Sequence, residues 1–155
     1  MSIFAELERG KLTCSSEETQ QIAEKLGAVL PENSVLALHG DLGVGKTTFV
    51  KGLARGLGIH EVVTSPTFNI FTLHRGAGKT LVHMDAYRLE NAKHVDELML
   101  EDFLIPPYYL AVEWPEKIAQ WLPIGALHLR LSIHRPGVHQ IELLTNKKGA
   151  EGLGA

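Results

Sequence analysis

A chain of 155 residues with one cysteine, Cys14, forms no internal disulfide, and that scarcity points to a reducing compartment. Cys14 itself reads as a small half-buried hydrophobe. No stretch approaches the roughly 20 apolar residues needed to cross a bilayer. The opening MSIFAELERGK carries acids early and no basic region followed by an apolar run, so no secretory signal is read there. These absences make the cytoplasm the expected location. Positive charge is not in excess either. A net charge of -3 argues against a broad basic face gripping nucleic acid, and leaves RNA contact within a larger complex open. The eight histidines contain no pair at metal-ligand spacing such as H-E-x-x-H, which speaks against a zinc site. Repeats and dividing linkers are missing too. With 45% apolar and 21% charged residues, ordinary globular values, one domain is expected over residues 1–146, with a disordered glycine-rich tail over 147–155.

What is present reads as alternating helices and strands. Ser15 followed by Glu18 has capping-box spacing, in which each side chain satisfies the other residue's N–H. Ile22, Ala23, Leu26, Val29 and Leu30 then recur at helical period until Pro31. Val35 to Leu38 is a short continuous apolar run that suits a strand buried on both faces. Lys46 to Leu57 reads as a helix ending near Gly56 and Gly58. Residues 68–74 alternate apolar and polar, Gly76-Ala77-Gly78-Lys79 reads as a turn, and residues 81–84 as the returning strand of a hairpin. A helix is expected over about Lys93–Phe103, a strand over Tyr108–Val112, and a short helix from Pro115 to Trp121. Leu127–Ile133 and Gln140–Leu144 form a terminal hairpin about Arg135-Pro136-Gly137. The fold class expected is α/β: a mostly parallel central sheet, flanked by antiparallel strands from 68–84 and 127–144, with helices on both faces.

Between the buried strand and the helix lies Gly40-Asp41-Leu42-Gly43-Val44-Gly45-Lys46-Thr47, which fits G-x-x-x-x-G-K-[ST] at every required position. Glycines let consecutive backbone N–H groups turn inward around an anion, and the following helix adds its free N–H groups and the positive end of its dipole. Lys46 reaches the β- and γ-phosphates as a point charge, and the Thr47 hydroxyl is suited to Mg²⁺. A chance match in such a chain is on the order of one in a hundred, before the strand-loop-helix context is required. Such a site needs an acid at the end of a neighbouring strand, to hold Mg²⁺ or its water and to orient the attacking water. Asp85 ends the strand over 81–84 and Glu113 ends the one over 109–112. Either alone is compatible with a surface acid; both idle is the poorer reading. Thr64-Ser65-Pro66-Thr67 has the composition of a γ-phosphate-sensing loop, and as a bare pattern fits a plain turn equally well. Arg88 either neutralises phosphate charge or pairs with a carboxylate. The nearest approach to a guanine-reading N-K-x-D loop, Asn146-Lys147-Lys148-Gly149, lacks the aspartate, favouring ATP over GTP.

The stretches HGDLGVGKTTFVKGLARGLG (39–58), TSPTFNI (64–70), HMDAYRLE (83–90) and VEWPEK (112–117), in that order and spacing, resemble the TsaE family, also called YjeE. The resemblance covers roughly Ser15 to Leu144. It implies the P-loop NTPase fold and a small ATPase of bacterial tRNA modification. Such an ATPase works with TsaB- and TsaD-type partners to attach threonylcarbamoyl to the adenosine beside the anticodon. In that family the nucleotidase is not the transferase, and hydrolysis serves repeated turnover. The resemblance implies ATP and Mg²⁺ as cofactors and tRNA reached indirectly through the complex, with the isolated chain a monomer. Carried over by motif, Thr47 and Glu113 are the metal ligands, Lys46, Asp85 and Glu113 the catalytic set, and Asp85 the residue that positions water. Nucleotide contacts fall on Asp41, Leu42, Gly43, Val44, Gly45, Lys46, Thr47, Thr48, Ser65, Thr67 and Trp114. Family contacts near the first helix start and in the final hairpin fall near Ser16 and Arg135, which no motif fixes. Two further readings stand beside this one. A small-molecule kinase needs an arginine-rich lid, and only Arg75 and Arg88 lie between the P-loop helix and Arg130. A nucleotide-gated interaction module would hydrolyse slowly.

Overall fold

The computed structural model describes residues 2–41, 43–66 and 70–144. Leu42, Thr67, the beginning of the strand expected from 68, and the tail over 147–155 lie outside the described residues. In chain order the elements are α1 (Ile3–Glu8), β1 (Lys11–Thr13), α2 (Ser16–Val29), β2 (Ser34–His39), α3 (Lys46–Gly56), β3 (Phe71–Gly76), β4 (Lys79–Asp85), α4 (Lys93–Glu97), β5 (Tyr108–Glu113), β6 (Leu127–Arg135) and β7 (Val138–Leu144). Short 3₁₀ turns span Leu100–Phe103 and Pro115–Ile118.

The strands form one sheet in the order β1-β7-β6-β2-β5-β4-β3. β2 is parallel to both β5 and β6, and β5 is parallel to β4. β3, β7 and β1 add antiparallel edges. The architecture is α/β, a mixed sheet with a parallel core. Each expected hairpin contributes one strand to that core, β4 and β6, and the other strand of each, β3 and β7, is purely antiparallel. Ala77 and Gly78, both at positive φ (52° and 74°), make the tight β3–β4 turn.

Both faces of the sheet are covered. Leu36, Leu38, Leu81, Tyr109, Ala111, Leu129 and Leu131 pack against α2 and α3. Val35, Val82, Met84, Leu110 and Val112 pack against Val95, Leu100 and Ile118 on the other side. Alternate strand residues therefore serve opposite layers, and the central strands read as continuous apolar runs because both layers are dry.

Local chemistry explains most of the helix boundaries. Ser15 caps α2 by accepting from the Glu18 N–H (3.1 Å), while the Glu18 carboxylate accepts from the N–H of Cys14 (3.2 Å), one residue before the one the capping box anticipates. Cys14 itself is exposed, contrary to the half-buried reading, because it stands at the entrance to α2 where the chain leaves the sheet. The helix expected over 93–103 is broken: α4 stops at Glu97, and Met99 takes a left-handed conformation (φ 54°) before the 3₁₀ turn. That break lets Val95 and Leu100 both reach the sheet. The helix expected from Pro115 likewise closes after one 3₁₀ turn.

α2 and α3 meet at glycines. A methyl group added to Gly52 would run into the backbone of Gln20, and one on Gly56 into that of Glu24. Gly52→Ala would gain up to about 1 kcal/mol in helix propensity, against about 2–3 kcal/mol of overpacking on rigid backbone. A net loss of about 1–2 kcal/mol is expected in urea unfolding. A midpoint equal to the wild type would show that the helices separate freely.

Candidate functional site

Strand register brings the acids to one place. Glu113 is the parallel partner of Leu38 at the end of β2 and of Asp85 at the end of β4, so both carboxylates stand at the carboxyl edge of the core, beside the loop that leaves β2 for α3. Gly40, Gly43 and Gly45 all take positive φ in that loop (148°, 82° and 99°). At Gly40 any side chain would meet the carbonyl oxygen of Leu131. Gly45 starts α3 with no side-chain cap, which leaves the first turn's N–H groups available to an anion.

A cavity of about 290 Å³ opens at that helix end, lined by Gly43, Gly45, Lys46, Thr47, Thr48, Ser65, Asp85, Glu113 and Trp114. Its volume lies at the lower end of ligand pockets and suits the phosphate end of a nucleotide. Lys46 is 4% exposed. Its ammonium donates to the carbonyl of Gly40 (2.6 Å) and lies 4.0 Å from the centre of the Trp114 ring, a cation–π contact. Burial pulls the Lys46 pKa below the usual lysine value, opposed by the carboxylates of Glu113, Asp85, Glu116 and Asp41. Trp114 has left-handed backbone (φ 56°), and its ring also meets Tyr87 at 5.1 Å between centroids.

The acids differ in setting. Glu113 is buried; one of its oxygens, Oε2, accepts from the Thr47 hydroxyl (3.3 Å) and from His83 Nε2 (2.6 Å). Asp85 is half-buried, and its Oδ1 accepts from the backbone N–H of Tyr87 (3.0 Å). The Thr47–Glu113 oxygen separation is close to the edge of an octahedron around Mg²⁺, about 3 Å. Hard oxygen donors at that spacing fit the ion.

Not every expected contact residue lines this cavity. Asp41 and Val44 border a neighbouring cavity of about 640 Å³ with His39 and Arg130. Leu42 and Thr67 fall outside the described residues. Ser16 and Arg135 are exposed and line neither cavity, and Arg88 is exposed beyond β4.

Three histidines around the loop were not singled out from the sequence. The His139 ring is 3.0 Å from the carbonyl of Val44 through Nδ1, tying the loop to β7. His39, at the end of β2, shares a 2.9 Å hydrogen bond with His128. Burial, with His128, Arg130 and Lys46 nearby, pushes its pKa down to about 4, so it is neutral at pH 7. His83 holds Glu113. Its signal was available: two residues before Asp85, period-two alternation sets it on the same strand face.

The family model described as "Threonylcarbamoyl adenosine biosynthesis protein TsaE" matches residues 13–141. The chain belongs to the TsaE family. It is therefore a component of tRNA threonylcarbamoyladenosine biosynthesis, and the mixed sheet with its parallel core is the P-loop NTPase fold of that family. Among the relatives of TsaE name, the one from Treponema pallidum is 37% identical over 127 residues, covering 82% of this chain and 93% of the relative. The one from Bacillus subtilis is 40% identical over 131 residues, covering 84% and 80%. The crystal structure of Bacillus subtilis YdiB superposes with a TM-score of 0.73 at 32% identity, covering 94% of this chain and 93% of that one. All four stretches that carried the resemblance to TsaE fall inside the matched residues. Among the described residues no helix is long and apolar enough to cross a membrane.

Proposed function

We propose that this chain binds ATP with Mg²⁺ at the cavity below Trp114 and hydrolyses it. We propose further that it does so in the cytoplasm as the nucleotidase subunit of a complex with TsaB- and TsaD-type proteins, meeting tRNA through them. The observation that carries the reading is the convergence of Lys46, Thr47, Asp85 and Glu113 on one cavity at an uncapped helix start. In this reading the glycine loop and the first turn of α3 hold the phosphates, and Lys46 balances charge on the β- and γ-phosphates. Thr47 and Glu113 hold Mg²⁺ directly or through its water, and the ion offsets negative charge on the phosphates. A water attacks the γ-phosphorus in line, the bond to the ADP oxygen breaks, and Asp85 orients the water and takes its proton. Ser65 and Thr67 sense the γ-phosphate, and Trp114 shields Lys46 from solvent.

The deciding experiment is ATP hydrolysis by the purified protein, alone and with TsaB- and TsaD-type partners plus tRNA. Hydrolysis stimulated by the partners and absent in Lys46→Ala is the expected result. Hydrolysis indifferent to partners would sink the subunit role, and phosphoryl transfer to an added small molecule would replace it with a kinase.

A further inference from the structure

His83 is 0% exposed at the centre of β4, and burying an imidazole is unfavourable unless its nitrogens are bonded. Among the described residues its bonded nitrogen is Nε2, 2.6 Å from Glu113 Oε2, while Nδ1 lies buried without a partner. A carboxylate accepts, so Nε2 carries the proton and donates. At 2.6 Å the bond lies just below the range of about 2.7–2.9 Å typical of charge-assisted N–H···O bonds. The β4–β5 register sets the small side chain of Ala111 opposite His83, which leaves the ring room to reach along the sheet to Glu113 at the strand end. Glu113 Oε2 is also the oxygen that meets the Thr47 hydroxyl. Among the described residues, that 3.3 Å contact is the other hydrogen bond to the carboxylate.

The geometry points to His83 as a positioning residue: it pins the Glu113 carboxylate in the orientation that receives Mg²⁺ beside Thr47. The inference rests on the reading of this cavity as an ATP–Mg²⁺ site. A partner that orients a metal-ligating group governs metal affinity although it never touches the ion; its loss typically weakens metal affinity 10- to 100-fold. Among the described residues the hydrogen bond of His83 goes to Glu113 and not to Lys46, Thr47 or the glycine loop, so nucleotide binding without metal is expected to be independent of it.

The test is calorimetric ADP and ATP binding across a Mg²⁺ series for the wild type, His83→Leu, His83→Gln and His83→Asn. Glutamine places an amide N–H near the position of Nε2; asparagine is polar but falls short of Glu113. In His83→Leu and His83→Asn, the Mg²⁺ concentration for half-maximal enhancement of binding is expected to rise about 10- to 100-fold. Metal-free affinity should stay at the wild-type value, and His83→Gln should return most of the metal dependence. Should His83→Leu fail to fold, the comparison of Gln with Asn carries the same test. Wild-type Mg²⁺ dependence in Leu or Asn, or Gln impaired as fully as Asn, overturns the positioning role and leaves the ATP–Mg²⁺ reading standing. A wild-type protein whose nucleotide binding ignores Mg²⁺ overturns both.

Discussion

Replacing Lys46 with alanine is expected to weaken ATP binding about a hundredfold, equivalent to about 3 kcal/mol. The magnitude follows from what the ammonium does. It is buried, it is held by the Gly40 carbonyl and the face of Trp114, and its charged form is favoured electrostatically by Glu113, Asp85, Glu116 and Asp41 against the cost of burial. Hydrogen bonds to charged groups contribute about 1.5–3 kcal/mol each, and a phosphate group offers the lysine more than one acceptor. Removing the charge also leaves Glu113 and Asp85 facing an anionic ligand with one counter-charge fewer. Binding by calorimetry, with thermal unfolding as the control for folding, decides the matter. Affinity equal to the wild type would remove Gly40–Thr48 from the phosphate role altogether.

Asp85→Asn is expected to slow ATP hydrolysis by about 10²- to 10⁴-fold, the range for loss of a positioned base, while nucleotide affinity changes little. The two acids share a register position but not a setting. Glu113 is buried and engaged with Thr47 and His83, so it suits a fixed ligand. Asp85 is half-buried at the cavity and is steadied through Oδ1 by the Tyr87 N–H. Asparagine preserves that acceptor while losing the basic oxygen, so single-turnover hydrolysis isolates the proton-accepting step. If Asp85→Asn instead abolished Mg²⁺-dependent binding and left turnover intact, the roles of Asp85 and Glu113 would have to be exchanged.

Much of this architecture is local and was legible in the residues. A helix start is written in Ser15 and Glu18, and a tight turn in Ala77-Gly78. The glycine loop needs conformations that side chains oppose, so its spacing survives as a readable pattern. Acids directly after apolar runs mark strand ends, and strand ends in a parallel core face the same edge. These features depend on neighbours within a few positions of the chain. Helix length was less legible: the break at Met99 follows from the demand that Val95 and Leu100 reach the same sheet face.

The residues by themselves determined the α/β class, the glycine-rich loop before Lys46 and Thr47, and the two strand-end acids, because each rests on short-range geometry. Only the tertiary structure decided which strands became the parallel core, and that Lys11–Thr13 forms an edge strand on β7, with partners more than a hundred positions away. It alone joined His83 to Glu113, His139 to Val44 and His39 to His128. Such pairs are created by strand order and register, which the whole sheet chooses by burying both its faces at once; alternation sets His83 on the face of Asp85, and only the register names Glu113 as its partner.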